Sequence, residues 1–162
     1  MENVIIRRAT LNDLHEIQNL NNLLFKLEKE NFDPTLIENW PITEEGKEYF
    51  KKLIEESHVI VALLNNEIVG YLAGSINEKG SYENIQYGEV NNMFIKDSCR
   101  GCGVGKLLVN EFKLYCKSNG ISDLIVTASA KNLNAIEFYR KNGFNDFNLT
   151  LTMHIEEENN GQ

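Results

Sequence analysis

The stretch VNNMFIKDSCRGCGVGKLLV, residues 90–109, joins a strand pattern to a helix pattern through a loop with three alternating glycines between Arg100 and Lys106. Glycines allow consecutive backbone N–H groups to turn towards an anion, and the N-terminus of the following helix adds positive potential. The pattern predicts an anion-binding loop that a pyrophosphate fits. A glycine-rich turn without a ligand is the alternative.

Two other phosphate-binding loops do not fit this stretch. A P-loop, Gly-x-x-x-x-Gly-Lys-Ser/Thr, needs glycine where Arg100 stands and a hydroxyl where Leu107 stands. A dinucleotide-binding Gly-x-Gly-x-x-Gly needs glycine in place of Leu108 and belongs after the first strand of a βαβ unit. An Arg-x-x-Gly-x-Gly loop between a strand and a helix remains.

The composition of the 162 residues suits a single domain, which we predict over 1–155, followed by a disordered tail over 156–162. A formal net charge of -8 disfavours nucleic-acid binding. An acidic surface attracts cationic small molecules or basic peptides, although excess carboxylates also serve solubility alone. Since neither a membrane span nor the order of a signal peptide is present, the sequence predicts a cytoplasmic protein without a membrane partner.

The three cysteines, Cys99, Cys102 and Cys116, cannot all pair with one another within one chain. Cys99-x-x-Cys102 matches half of a zinc site, but no second ligand pair follows and the histidines are isolated. We therefore expect free thiols in a reducing compartment and no metal. A redox Cys-x-x-Cys site is the remote alternative.

Hydrophobic periodicity and turn residues predict the element order β-α-α-β-β-β-α-β-α-β. The last predicted strand is the alternating run NDFNLTLTMHI, residues 145–155. The boundaries are marked by Thr10 and Thr43 as N-terminal caps, Asn65–Asn66 as a tight turn, and Gly120 and Gly143 as helix ends. This order describes a mixed α/β sheet with helices on both faces.

Residues 90–109 closely resemble motif A of the GNAT superfamily of acyl-CoA N-acyltransferases, and NLNAIEFYRKNGF, residues 132–144, resembles its motif B. The two runs stand in the family's order, with a strand between them. The resemblance implies the GNAT fold, which is a mixed, mostly antiparallel central sheet of six to seven strands flanked by about four helices. The sheet of this fold is splayed between the fourth and fifth strands.

The same resemblance implies acetyl-CoA (coenzyme A) as co-substrate of an N-acetyltransferase that acts on a primary amine. The pyrophosphate would lie on the glycine loop and the pantetheine arm along the preceding strand, where a backbone N–H near Met93 or Phe94 would serve as oxyanion donor. The implied cofactor-binding residues are Met93, Phe94 and Ile95 on the strand, Arg100, Gly101, Cys102, Gly103, Val104, Gly105 and Lys106 on the loop, and Asn132, Ala135 and Tyr139 in the second motif.

Catalytic roles are implied for Tyr139 as the general acid and Glu89 as the base or water-holder. A tyrosine stays protonated at neutral pH because its unperturbed pKa is about 10. Its ring could instead only pack the helix onto the sheet. Period-two alternation puts Glu89 on the strand face of Asn91, Met93 and Ile95, unless a bulge disturbs it. An exposed strand glutamate is the alternative.

The acceptor pocket is predicted from the loop NFDPTLIENWP, residues 31–41, where the family varies most. Phe32 and Trp40 would form its walls, with Asn91 on the strand; a hydrophobic clasp between the first two helices would use the same aromatics. The expected acceptor is a small cationic amine or a lysine-like side chain. The alternatives are a protein N-terminal amine and an acyl-CoA-binding sensor without chemistry. Pairing of the last strand with a second copy would give a homodimer.

Overall fold

The computed structural model describes residues 3–156, so the predicted tail lies outside the described residues except for Glu156. Within them, short 3-10 turns precede the first three helices. The elements follow the predicted order up to the last helix: β1 (Ile5–Arg8), α1 (Leu14–Asn31), α2 (Glu44–Glu56), β2 (His58–Leu64), β3 (Glu67–Ile76), β4 (Tyr87–Ile95), α3 (Val104–Ser118), β5 (Asp123–Val126) and α4 (Leu133–Lys141).

The predicted element ends are confirmed where local chemistry sets them. Thr43 caps α2, since its hydroxyl accepts a hydrogen bond from the Gly46 N–H. Asn65 and Asn66 both have positive φ, as the tight turn between β2 and β3 requires. Gly120 and Gly143 follow α3 and α4 in the left-handed conformation that ends a helix.

The strands form one sheet in the order β1-β2-β3-β4-β5, in which only the β4–β5 pair is parallel. The helices cover both of its faces, as expected. Along β2, Val59 and Val61 pack beneath α1 and α2, whereas Ile60 and Ala62 pack beneath α3. Because both faces of β2 are covered, its residues 59–64 form a continuous hydrophobic run after His58.

The sheet has five strands among the described residues, where six to seven were expected. Residues 145–156 carry the predicted alternation but form no strand there. Alternation reports only which side chains share a face, while a strand also needs a neighbouring edge for its backbone hydrogen bonds. The five apolar side chains of this run are 72–83% exposed: Phe147, Leu149, Leu151, Met153 and Ile155.

Gly74 allows α3 to lie close against β3, because a Cβ atom there would overlap the buried ring of Phe112. We expect Gly74→Ala to lower the free energy of unfolding by about 1–3 kcal/mol, as overpacked cores do. Urea denaturation measures this. The double variant Gly74→Ala/Phe112→Leu should regain part of the loss.

The matched control for this prediction is Gly80→Ala, in the loop before β4, whose added Cβ would meet only the end of the Glu83 side chain and the rim of Tyr82. It should change stability by less than about 0.5 kcal/mol. Equal stability of the two alanine variants would contradict the packing argument.

Candidate active site

The site begins where β4 and β5 part. Residues 87–90 of β4 pair with residues 123–126 of β5, and the pairing ends there although β4 runs on to Ile95. Residues 91–95 therefore present backbone N–H and C=O groups to a gap on the β5 side. The family resemblance implied a splay at this place, between the fourth and fifth strands.

A β-bulge lies at the start of this open segment. Ala73 of β3 pairs with Asn92, but the next residue, Gly74, pairs with Val90, so Asn91 is an extra residue in β4. Val90 and Met93 both pack on the α3 side although they are three residues apart. An unbulged strand would put them on opposite faces.

The bulge corrects the predicted position of Glu89. Because Val90, Met93 and Ile95 all face α3, Glu89 lies on the other face, towards α1 and α2, with Phe94. The expectation that Glu89 shares a face with Met93 and Ile95 was wrong, since one extra residue inverts the alternation. Asn91 is exposed and its side chain is hydrogen-bonded to the Ser75 hydroxyl, at 2.9 Å.

The glycine loop has an open backbone. Gly101 and Gly103 adopt φ values of 76° and 82°, and nothing lies within 4 Å of where a Cβ would stand on either. α3 starts directly afterwards, at Val104, so the first N–H groups of the helix have no acceptor within it. Free N–H groups, positive helix potential and open space are what a pyrophosphate requires.

Gly105 serves a different purpose from the two preceding glycines. A Cβ there would lie 3.0 Å from the Phe138 ring and 3.1 Å from Cδ1 of Ile95. Its small size thus lets α4 pack against the start of α3 and the end of β4. The three alternating glycines divide into two that shape the loop and one that lets the next helix approach.

The basic residues of the loop also differ in role. The Arg100 side chain turns back to the strand: its Nε donates to the Ile95 carbonyl at 3.1 Å, and its guanidinium carbon lies 5.1 Å from the centroid of the Phe94 ring. A third contact, 3.0 Å to Asp97, completes a brace between β4 and the loop. Lys106 and Cys102 are exposed, so Lys106 is the loop's outward-facing positive charge.

α4 lies beyond the gap and is oriented by its cap. The Asn132 side-chain oxygen accepts a hydrogen bond from the Ala135 N–H at 3.1 Å, so this residue caps the helix. Later in the helix, the Tyr139 ring packs edge-on against Phe138 and Phe144, with centroids 5.2 Å and 5.4 Å away. These contacts hold the half-buried phenol of Tyr139 in place.

The environment of Tyr139 keeps its phenol protonated. Burial, with a smaller contribution from the negative charge of Glu28, raises the pKa of Tyr139 to about 12. Burial also raises the pKa of the Tyr71 phenol, and the charges of Tyr49, Glu28 and Tyr139 raise it further. These three groups therefore surround one region on the α1/α2 side of the sheet.

A buried polar chain joins this region to the bulge. The Asn21 amide of α1 donates to the Tyr71 hydroxyl at 2.7 Å, and that hydroxyl donates to the Asn92 side-chain oxygen at 2.5 Å. Because Tyr71 is fully buried, its hydroxyl needs both partners. The chain fixes the Asn92 side chain immediately after the bulge.

Glu28 is a candidate residue that sequence reasoning missed. It is half-buried on α1, it forms no ion pair within residues 3–156, and burial, followed by repulsion from Asp33, raises the pKa of its carboxyl. The available signal was position: Glu28 follows Leu24 by four residues and Asn21 by seven, so it continues the inward face of the helix.

Glu89 lies close to the same cluster. Its Oε2 accepts a hydrogen bond from the Asn77 amide at 2.8 Å, and its charge adds to the effect of burial in raising the pKa of Tyr49. The bulge therefore brings Glu89 to the side of the sheet on which Glu28 and Tyr139 act on one another. The two carboxylates and the phenol come from three different elements.

Trp40 forms a hydrophobic clasp between α1 and α2, which was the alternative to its predicted role as a wall of the acceptor pocket. Its ring stacks on Phe25 of α1 at 5.9 Å and meets Tyr49 of α2 edge-on at 5.5 Å. Phe32 is half-buried in the same loop. Further along this loop, hydrogen bonds from Thr35 lower the pKa of the Asp33 carboxyl. The positive charge of Lys131, in the segment between β5 and α4, lowers it further by a smaller amount.

The cysteines and histidines form no centre of their own. Cys99, Cys102 and Cys116 are free thiols, as predicted. Over residues 3–156, no three His, Cys, Asp or Glu side chains lie together in a way that could hold a metal ion. No helix in that range has the length and apolar character to cross a membrane.

Residues 17–144 match the Acetyltransferase (GNAT) family. The chain belongs to this family. Both motifs, the parting strands and α4 lie inside the matched range. Members of the family use acetyl-CoA as the acyl donor.

Curated relatives of this GNAT chain include an uncharacterized N-acetyltransferase from Methanocaldococcus jannaschii, 31% identical over 60% of this chain and 44% of that protein. Another is the IAA acetyltransferase of Azospirillum brasilense, 31% identical over 54% of each. The chain thus spans about half the length of these curated relatives.

Solved structures share the fold at low sequence identity. A mutant of the BH1408 protein from Bacillus halodurans has a TM-score of 0.80 at 18% identity, covering 94% of this chain and 99% of the other. AAC(6')-Iy in complex with the bisubstrate analogue CoA-S-monomethyl-acetylneamine has a TM-score of 0.73 at 14% identity, covering 95% and 99%. At such identities the likeness shows the fold alone.

Glu28→Gln should stabilise the protein at pH 8 and leave its stability unchanged at pH 3.5. The raised pKa means that the folded state disfavours the charged carboxyl, so stability is lost as pH rises through that pKa, while at low pH the group is protonated in both states. The gain should stay below about 1 kcal/mol because the side chain is half exposed.

Urea denaturation at the two pH values measures this effect, with Glu30→Gln as the control on the exposed side of the same helix. The control should change stability equally little at both pH values. Destabilisation by Glu28→Gln at pH 8 would mean that the carboxylate is paired and not desolvated.

Proposed function

We propose that this protein transfers an acetyl group from acetyl-CoA to a primary amine of a small cationic molecule. The observation that carries the proposal is the joint placement of two features around the gap between β4 and β5. The open glycine loop follows β4, and the half-buried phenol of Tyr139 belongs to α4, which follows β5. One feature suits a pyrophosphate and the other suits a departing thiolate.

The residues present fit coenzyme A. Gly101 and Gly103 leave the loop open, the first N–H groups of α3 point out of the helix, and Lys106 adds a positive charge. The unpaired backbone of residues 91–95 offers hydrogen bonds to the amide groups of a pantetheine arm, as an added strand would make them. When bound, acetyl-CoA would supply an activated thioester, whose carbonyl carbon forms the new C–N bond before its C–S bond breaks.

The amine must lose a proton before it can attack, since an alkylamine is almost wholly protonated at neutral pH. Glu89 takes this proton, directly or through a water, from its position on the α1/α2 side of β4. Glu28 attracts the positively charged amine to the same side. Burial raises the pKa of this carboxyl. It has no ion-pair partner within the described residues, and a substrate ammonium group would supply one.

Tyr139 then donates to the departing sulfur. Its pKa of about 12 keeps the phenol protonated throughout the physiological range. Because that value lies above the usual pKa of a thiol, near 8.5, Tyr139 acts first as a hydrogen-bond donor to the developing thiolate. As the C–S bond breaks, the phenol proton passes to the sulfur and the attacking nitrogen gives its second proton to Tyr139, so that the phenol is restored. A backbone N–H at Met93 or Phe94 stabilises the charge on the carbonyl oxygen.

A cationic acceptor is favoured by the charges around the gap. Glu28 and Glu89 flank it on the α1/α2 side, and the chain as a whole is acidic. AAC(6')-Iy, which has this fold, is an aminoglycoside N-acetyltransferase. A polyamine or an aminoglycoside-like amine therefore stands ahead of a neutral amino acid or a peptide N-terminus.

Thiol release from acetyl-CoA tests the proposal on a panel of polyamines, aminoglycosides, amino acids and short peptides, after calorimetry has measured acetyl-CoA binding. We expect turnover on one cationic class. Tight binding without turnover on any amine would instead support an acyl-CoA sensor. Absence of binding would refute the assignment of the glycine loop.

Gly103→Ala should weaken acetyl-CoA binding about tenfold, because alanine disfavours the φ of 82° that opens the loop. The matched control is Gly120→Ala, at the other end of α3, where φ is 76°. Both variants should lose about 1–2 kcal/mol of stability, but only the first should lose affinity in calorimetry. An equal loss of affinity in both variants would show that strain at either end of α3 weakens acetyl-CoA binding, and it would contradict a specific role of Gly103.

Tyr139→Phe should lower kcat at least about tenfold and leave the calorimetric affinity for acetyl-CoA within about twofold, because it removes a donor used only as the thiolate departs. Tyr82→Phe is the control, since Tyr82 is 90% exposed in the loop before β4. Unchanged kcat in Tyr139→Phe would leave this ring with only its packing role.

A further inference from the structure

A chain of three polar side chains crosses the apolar core beneath α1. The Asn21 amide nitrogen donates to the Tyr71 hydroxyl at 2.7 Å, and that hydroxyl donates to the Asn92 side-chain oxygen. Tyr71 is 0% exposed and Asn21 is 2% exposed, and Tyr71 packs in a cluster of otherwise apolar residues. A phenylalanine would fill nearly the same volume without a polar group, so the buried hydroxyl needs a reason other than packing.

Stability alone does not explain this chain of side chains. Asn21 Oδ1 is buried and has no hydrogen-bond partner among the described residues. A buried polar atom without a partner costs free energy, and this cost offsets what the two hydrogen bonds contribute. Hydrogen bonds, unlike apolar contacts, hold a side chain in one direction. The arrangement therefore points to a geometric role.

The far end of the chain of side chains lies at the bulge in β4. The bulge interrupts the ladder to β3 at Asn91, and pairing with β5 has already ended at Val90. The sheet therefore holds Asn92 on one side only, directly next to an extra residue. Tyr71 pairs with Phe94, so Asn92 is its diagonal neighbour, at a distance that a tyrosine side chain can span. The link to Tyr71 gives Asn92 a second hold.

The direction of the backbone beyond the bulge follows from one hydrogen bond. The Lys96 N–H donates to the Val69 carbonyl of β3, at 2.8 Å. Backbone N–H groups alternate in direction along a strand, so the Phe94 N–H points to β3 as well, whereas those of Met93 and Ile95 point to the gap. Met93 is thus the first residue after the bulge whose N–H opens into the gap.

The Ile95 carbonyl agrees with this direction. In an antiparallel ladder the N–H and C=O of one residue point to the same side, and the Ile95 carbonyl accepts its hydrogen bond from Arg100 Nε of the glycine loop. The peptide bond that carries the Met93 N–H joins Met93 to Asn92. Because only two rotatable bonds separate the Asn92 backbone from its side-chain amide, a hold on that amide restrains this peptide plane.

We propose that Tyr71 is a positioning residue for acyl transfer, which through Asn92 holds the bulge so that the Met93 N–H faces the carbonyl oxygen of the thioester. The inference rests on the proposed function, because it assigns a role within that reaction. It also chooses Met93 over Phe94 as the backbone donor. A misplacement of about 1 Å can cost about a hundredfold in rate, so a side chain that never touches the substrate can control the reaction.

Tyr71→Phe tests this role, because it keeps the ring and removes only the hydroxyl. In the free protein, the Asn92 amide should exchange its hydrogen at least about tenfold faster than in the wild type. With acetyl-CoA that carries carbon-13 at the acetyl carbonyl, the infrared carbonyl band of the bound thioester should move back towards that of free acetyl-CoA. The calorimetric affinity for acetyl-CoA should stay within about twofold, while kcat falls at least about tenfold.

Ile54→Val is the matched control for lost stability. Ile54 is buried in the same α1/α2-side core as Tyr71 but belongs to α2. The variant loses one buried methyl group, so urea denaturation should show a lower stability, while the Asn92 exchange, the carbonyl band and kcat stay within about twofold of the wild type. The double variant Tyr71→Phe/Asn92→Ala should have a kcat no lower than the worse single variant, because both changes remove the same link.

An unchanged carbonyl band in Tyr71→Phe would overturn the inference, and so would a loss of kcat that Ile54→Val reproduces. Losses that simply add in the double variant would overturn it as well. If the wild type turns over an amine and Tyr71→Phe does so equally fast, this inference alone fails and the proposed function stands. If the wild type does not bind acetyl-CoA, both fail together.

Discussion

The site depends on one extra residue in β4. Pairing with β5 stops at Val90, directly before the bulge at Asn91, and the bulge inverts the order of side chains along the strand. Residues 91–95 consequently keep a free backbone edge, while Glu89 is turned to the α1/α2 side. The same shift brings Asn92 to the buried hydroxyl of Tyr71. A regular strand would put Glu89 on the α3 side.

Around this gap the protein tolerates groups that do not favour stability. Glu28 is partly desolvated without an ion pair among the described residues, and Tyr139 and Tyr71 hold phenols away from water. The fold compensates locally: Tyr71 has hydrogen-bond partners in Asn21 and Asn92, and Tyr139 is held by aromatic contacts. Perturbed titratable groups gathered from three elements are typical of a reactive site more than of a structural one.

Local features could be predicted from the sequence because their causes lie within a few residues. The cap at Thr43, the turn at Asn65–Asn66 and the left-handed glycines at the ends of α3 and α4 are all of this kind. The predicted face of Glu89 was wrong because a bulge depends on the pairing register between β3 and β4, which the alternation within one strand does not report. Glu28 was missed because its significance depends on what α1 packs against.

The sequence by itself determined the order of the elements up to α4, the loop that suits a pyrophosphate and the GNAT family, because glycine spacing, caps and hydrophobic period are local properties. Only the tertiary structure decided three further matters: that Glu28 is placed to act on the pKa of Tyr139, that Arg100 braces the loop, and that residues 145–156 form no strand among the described residues. Each of these depends on contacts between segments far apart in the chain. A local pattern specifies what a segment can form, and its neighbours in space determine what it does form.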